Sequence, residues 1–174
     1  MVNLVTTWVR RGVLVTALAS LTSCALDQED TLRADLSRWL HLGETRYFQS
    51  QTSCTAAVFA LTEPEFKEER PAPAASVATA LRRIEANEPV RFVMVGRSPD
   101  QISQALMSAD LARGLGVLSS GVGPALSCLE DWVSSGVYHV LTSPEAQLVY
   151  DPSENALLLV YPPDPLAIYL RGNV

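Results

Sequence analysis

The chain has 174 residues, and its 19 acidic side chains outnumber 13 basic ones to give a net charge of −6. That length suits one domain with a hydrophobic core of its own. The acidic balance argues against nucleic acid as a partner and against adsorption to anionic lipid head groups.

Residues 1–12 carry Arg10 and Arg11 and no acid, and the first acidic residue of the chain is Asp27. Between them, residues 13–21 form an apolar run followed by small residues, the order of a charged n-region, a short h-region and a cleavage site. A membrane-spanning helix needs about 20 apolar residues, and this run is roughly half of that before the polar stretch Asp27-Gln28-Glu29-Asp30. Leu21-Thr22-Ser23-Cys24 then resembles the lipobox of bacterial lipoproteins, with Leu three positions before Cys and small residues between. The resemblance implies that Cys24 receives a diacylglyceryl group on sulfur, that cleavage precedes it, and that the new amino terminus is acylated. Two or three acyl chains give stable anchoring where one is marginal, at roughly 0.8 kcal/mol per buried CH₂. An ordinary signal peptide with an incidental cysteine is the alternative.

Arg10-Arg11-Gly12-Val13-Leu14 also touches the twin-arginine export pattern, but departs from it at Val9 and in the lack of a following lysine. Ala25, rather than Asp, follows the cysteine, which in enteric bacteria directs a lipoprotein away from the inner membrane. The expected location is therefore the bacterial cell envelope, facing the periplasm, at the outer rather than the inner membrane. Removal of residues 1–23 takes away Arg10 and Arg11 and moves the net charge from −6 to −8. It also leaves two thiols, Cys54 and Cys128, which an oxidising periplasm would pair. The alternative is two separate buried thiols acting as small hydrophobes.

Residues 24–30 read as the lipidated cysteine and a short tether. Leu32, Leu36, Trp39 and Leu40 then recur at helical spacing, with Gly43 as the stop and His41 at the helix end. Residues 45–50 are rich in β-formers. Residues 54–61 follow after Gln51-Thr52-Ser53 and read as a strand apolar on both faces, or as a helix capped by Ser53 and ended by Pro64; Val58 and Phe59 favour the strand. Residues 63–76 hold three prolines and a charge run, the signature of a loop prone to local disorder.

Ser76 caps a predicted helix with an apolar face of Val77, Ala80, Leu81 and Ile84, and residues 90–95 read as a buried strand ended by Gly96. Ser98-Pro99-Asp100-Gln101 is the clearest local signal: a cap, a proline at the first helical position, a first-turn acid and a glutamine three after the cap. The glycine-rich residues 114–123 fit neither the dinucleotide nor the Walker spacing and read as a connector between helices. Pro124 is expected to open a helix through Ala125, Leu126, Leu129, Trp132 and Val133, with Cys128 at the inward edge of that face and Gly136 as the stop. Residues 137–142 read as a strand, residues 147–150 and 156–161 as a β-hairpin, and residues 166–170 as a last edge strand or a segment packed on the core. Together these predict an α+β fold, one domain over residues 31–174 with a mostly antiparallel sheet and about four helices.

The chemistry-bearing residues do not converge. His41 and His139 have no spaced Cys, Asp or Glu partner, so no metal site is implied, and no cofactor motif or nucleophile elbow is present. A Cys54 nucleophile with His139 as base is the one enzymatic reading that can be written, and a Cys54–Cys128 bridge would consume it. The function expected is thus a lipid-anchored, non-enzymatic envelope protein that supports a protein partner, with the membrane contacted through Cys24. A small-ligand-binding or sensory domain, with a pocket between sheet and helices, is the alternative.

Overall fold

Residues 25–67 and 71–172 are described by the computed structural model, with the backbone alone for 118–122. Seven strands form one sheet: β1 (His41–Ser50), β2 (Cys54–Glu63), β3 (Ala72–Ala74), β4 (Val90–Phe92), β5 (Gln147–Asp151), β6 (Ala156–Tyr161) and β7 (Leu166–Gly172). Their spatial order is β1-β2-β7-β6-β5-β4-β3, and every neighbouring pair is antiparallel except β3 with β4. Among the described residues five helices accompany them: α1 (Glu29–Leu36), α2 (Val77–Glu85), α3 (Pro99–Ala109), α4 (Leu111–Val122) and α5 (Asp131–Thr142), with a 3₁₀ turn at Pro124–Cys128. The architecture is α+β, as its sequence predicts.

Side chains alternate across the strands, and each face buries its own apolar set. On β6, Leu157, Leu159 and Tyr161 meet the layer of α2 to α5, while Leu158 and Val160 point the other way toward α1. Both sets are buried, which explains a strand that reads as an uninterrupted apolar run. The second face has one short helix, and the connection after β2 completes its cover. That connection crosses the sheet to reach β3 at the far edge. On its way Phe66 lies 4.9 Å under the Arg91 guanidinium, and the Lys67 N–H donates to Trp39 O at 2.8 Å. The described part of the predicted disordered loop is therefore docked; residues 68–70 lie outside the described residues.

Local signals place several elements as expected. Ser76 and Ser98 cap α2 and α3 with their hydroxyls, and Ser98 with Gln101 forms the full reciprocal capping box. Residues 54–61 belong to a strand. Other expectations are corrected. Residues 137–142 are the second half of α5, because Val133, Val137 and Val140 recur at helical spacing and all three bury against the sheet, which outweighs their β-propensity. Gly136 lies inside that helix in open space and stops nothing.

The helix expected from Pro124 is only the 3₁₀ turn, since Leu129 turns extended before α5 begins. The glycine-rich stretch is mostly α4. A Cβ at Gly114 would sit 2.4 Å from the Met107 backbone nitrogen, so that glycine serves the close crossing of α3 and α4 rather than a loop. The first helix ends at Leu36, and His41 and Gly43 already belong to β1. Finally, β7 is no edge strand: it is inserted between β2 and β6. Among the described residues no helix is long and apolar enough to cross a membrane.

Candidate functional site

Three features stand out, and the first is the end of the sheet where residues 26 and 27 attach. Cys54 opens β2 and Cys128 closes the 3₁₀ turn, and the two form a disulfide across a separation of 74 residues with Cα atoms 6.0 Å apart. The Tyr47 hydroxyl donates to the Cys128 carbonyl at 2.6 Å, and burial raises its pKa. Beside the bridge, residues 26 and 27 are already part of the fold. The Leu26 N–H donates to Gln51 O at 2.9 Å and the Asp27 N–H to Ser50 Oγ at 2.9 Å. Arg171 pairs with Asp27 at 2.6 Å and with Glu154 at 2.9 Å.

The second feature is a groove of about 230 Å³ between α1 and the β5-β6-β7 face. Its floor is apolar, with Val149 and Leu158, and its rim is acidic, with Asp27, Asp35, Asp151 and Glu154 against Arg38 and Arg171. Asp27 Oδ2 is buried with no hydrogen-bond partner among the described residues. Burial, and then the Asp27 charge, push the Tyr169 phenol above its usual range. Burial works against the charge on Arg171, yet Asp27, Tyr169 and Glu154 outweigh it and raise its pKa.

The third feature is the outer side of α5. Trp132 and Tyr138 stand 61% and 71% exposed, which is unusual for side chains of this size. Cavities of about 250 and 270 Å³ flank the helix, one beside Trp132, His139 and Tyr161, the other beside Tyr138, Leu141 and Leu157. Trp132 is held in place by an edge-on contact with Tyr47 at 5.8 Å and by its indole N–H, which donates to Glu130 at 2.8 Å. The nearby sheet edge is less open to a partner. Strand β1 carries three register shifts, and Arg33 of α1 donates to Gly43 O and Thr45 Oγ1 at 2.7 Å each, devices that blunt an edge.

Of the residues singled out from sequence, Cys24 lies outside the described residues. Cys54 and Cys128 are joined, so neither is a free thiol and the Cys54 nucleophile falls. His139 is not beside Cys54: it stands edge-on to Tyr161, with Nε2 3.2 Å from the hydroxyl, while Cys54 pairs with Gly172 at the other end of β7. His41 pairs with Glu63 at 3.5 Å. Among the described residues no cluster of His, Cys, Asp and Glu is arranged to hold a metal ion. Asp27 with Arg171, and Tyr138, are candidates that the sequence alone does not single out. The first pair is 144 residues apart and carries no local signal. A strand reading of 137–142 hides Tyr138, whereas the apolar period at 133, 137 and 140 turns it outward. Comparison with protein-family models, with curated proteins and with solved structures finds no match.

Proposed function

We propose that this chain is a lipid-anchored protein of the bacterial cell envelope whose domain binds a protein partner. The observation that carries the reading is the pairing of a lipobox at Leu21-Thr22-Ser23-Cys24 with a disulfide between the two remaining cysteines, because such bridges persist in oxidising compartments. In this reading the acyl chains on Cys24 hold the protein to the membrane, and a partner is engaged by the α5 aromatics. Large exposed aromatics beside apolar clefts are the side chains that anchor protein interfaces. Growth with a clickable fatty acid tests the anchor: the wild type should be labelled and Cys24→Ser should not, and equal labelling refutes it. A photocrosslinker at position 135, exposed between the two aromatics on α5, tests the surface. One discrete adduct, lost in Trp132→Ala/Tyr138→Ala at unchanged melting temperature, is expected; an unaffected adduct, or none, counts against it.

The groove under α1 supports a second reading, a small cationic ligand. The unpartnered Asp27 Oδ2 beside an acidic rim is the observation in its favour. Native mass spectrometry of the intact protein should then find a small molecule that Asp27→Asn releases.

A further inference from the structure

The chain is fixed to the sheet almost as soon as it leaves Cys24. Only Ala25 separates that cysteine from Leu26, whose N–H is bound to Gln51 O, and two residues reach at most roughly 7 Å. Asp27 adds a second backbone bond, to Ser50 Oγ, and an ion pair to Arg171 whose two side chains are 14% and 21% exposed. The free spacer is therefore shorter than residues 24–30.

These attachment points share one end of the sheet. Ser50 and Gln51 lead into the β1–β2 turn, and Arg171 lies opposite Ala156, next to the β5–β6 turn. The disulfide closes the same end, where Cys54 pairs with Gly172. The opposite end carries the β6–β7 turn at 162–165 and the 93–97 loop, where Val95 is fully exposed. The two ends are separated by the ten residues of β2, roughly 30 Å at the rise of a strand.

We infer that the anchored protein stands upright on the bilayer, with turns 51–53 and 152–155 apposed to the lipid head groups and loops 93–97 and 162–165 held away from them. This rests on the lipid-anchor reading. The apposed surface is not a charged membrane-binding patch: its Arg171 is already engaged by Asp27 and Glu154, and Asp151 stands beside them. The short tether alone sets the orientation.

The chain supplies its own labelling chemistry, since Cys54 and Cys128 are bridged and Cys24 would be acylated. A cysteine introduced as Gln51→Cys, Glu154→Cys, Val95→Cys or Asp164→Cys would thus be the one free thiol, whereas one at Ser53, 3.9 Å from Cys54 Sγ, could exchange with the bridge. Each full-length, lipidated variant would carry a fluorophore in vesicles of phosphatidylcholine with a spin label on a fraction of the head groups. Quenching at positions 51 and 154 is expected to exceed that at 95 and 164 several-fold. A flexible Gly/Ser insert of about 20 residues after Ala25, which reaches roughly 25 Å, should erase the contrast. Protein that floats with the vesicles but is quenched equally at all four positions overturns the orientation and leaves the anchor standing. A contrast that survives the insert overturns the tether as its cause. Protein that carries no lipid mass and does not float overturns the anchor and this inference with it.

Discussion

The two faces of the sheet are closed by different means. One lies under α2 to α5, whose valines, leucines and isoleucines interlock with those of the strands, and it is stapled at one end by Cys54–Cys128. The other is covered by the eight residues of α1 and by the crossing segment with Phe66 and Lys67, which leave a groove with an acidic rim. The first face is held by packing spread over many side chains. The second buries an apolar set of its own, Leu32, Leu36, Leu40 and Phe59 among them, and adds polar ties from Arg171 to Asp27 and from Arg33 to Gly43; this is where the fold keeps open space.

The largest expected effect tests the staple. Because the bridge closes a long loop, Cys54→Ala/Cys128→Ala should lower unfolding free energy by about 4 kcal/mol in urea titrations, and reductant should reproduce the loss in the wild type. A change under about 1 kcal/mol would mean the helical face holds itself without it.

Adjacent leucines of β6 set the faces against each other directly. Leu159 is fully enclosed beneath the helices, whereas Leu158 lines the groove, where space already exists. Leu159→Ala should cost about 3–4 kcal/mol and Leu158→Ala about 2. Equal losses in the same titration would remove the contrast between the faces.

Two smaller effects sharpen the helical side. Ser98→Ala removes one half of the capping box on α3 and should cost about 1 kcal/mol; a melting temperature within error of the wild type would contradict this. At the start of α4, the Arg113 backbone N–H and then its guanidinium hold Asp110 below the usual carboxylate range. A depressed carboxylate stabilises above its unfolded value of about 4 and loses that contribution as pH falls through its folded value. The wild type should therefore exceed Asp110→Asn slightly at neutral pH, with the gap closing as pH falls below the unfolded value of about 4. A pH-independent gap would show that the pair is not its source.

The helical face was partly legible because its signals are local. Ser98-Pro99-Asp100-Gln101 announces α3 within four residues, and Ser76 announces α2. Misreadings arose where one local cue had two physical uses. Gly114 marks a close helix crossing as well as it would mark a loop, and a valine-rich segment fits α5 as well as a strand until the 133/137/140 period is weighed. The second face was nearly illegible. Asp27 and Arg171 meet across almost the whole chain, and nothing near either residue reports the other. The groove arises from how α1 sits on the sheet, so its lining comes from separated segments with no common motif.

The central place of β7 bears on the order in which the molecule can be assembled. Until Leu166–Gly172 arrives, the β1–β2 hairpin and the β5–β6 hairpin have no strand between them, and β2 and β6 each present a row of unpaired backbone groups. Both are apolar along their length, so an incomplete chain is two sticky half-sheets joined by a long crossing. The strand that comes last of these seven in chain order closes the sheet, and completion requires contacts distant in sequence, the slow kind to form. That topology defers completion of the sheet until the β7 segment is free to insert, and until then it gives any chaperone two apolar edges to guard.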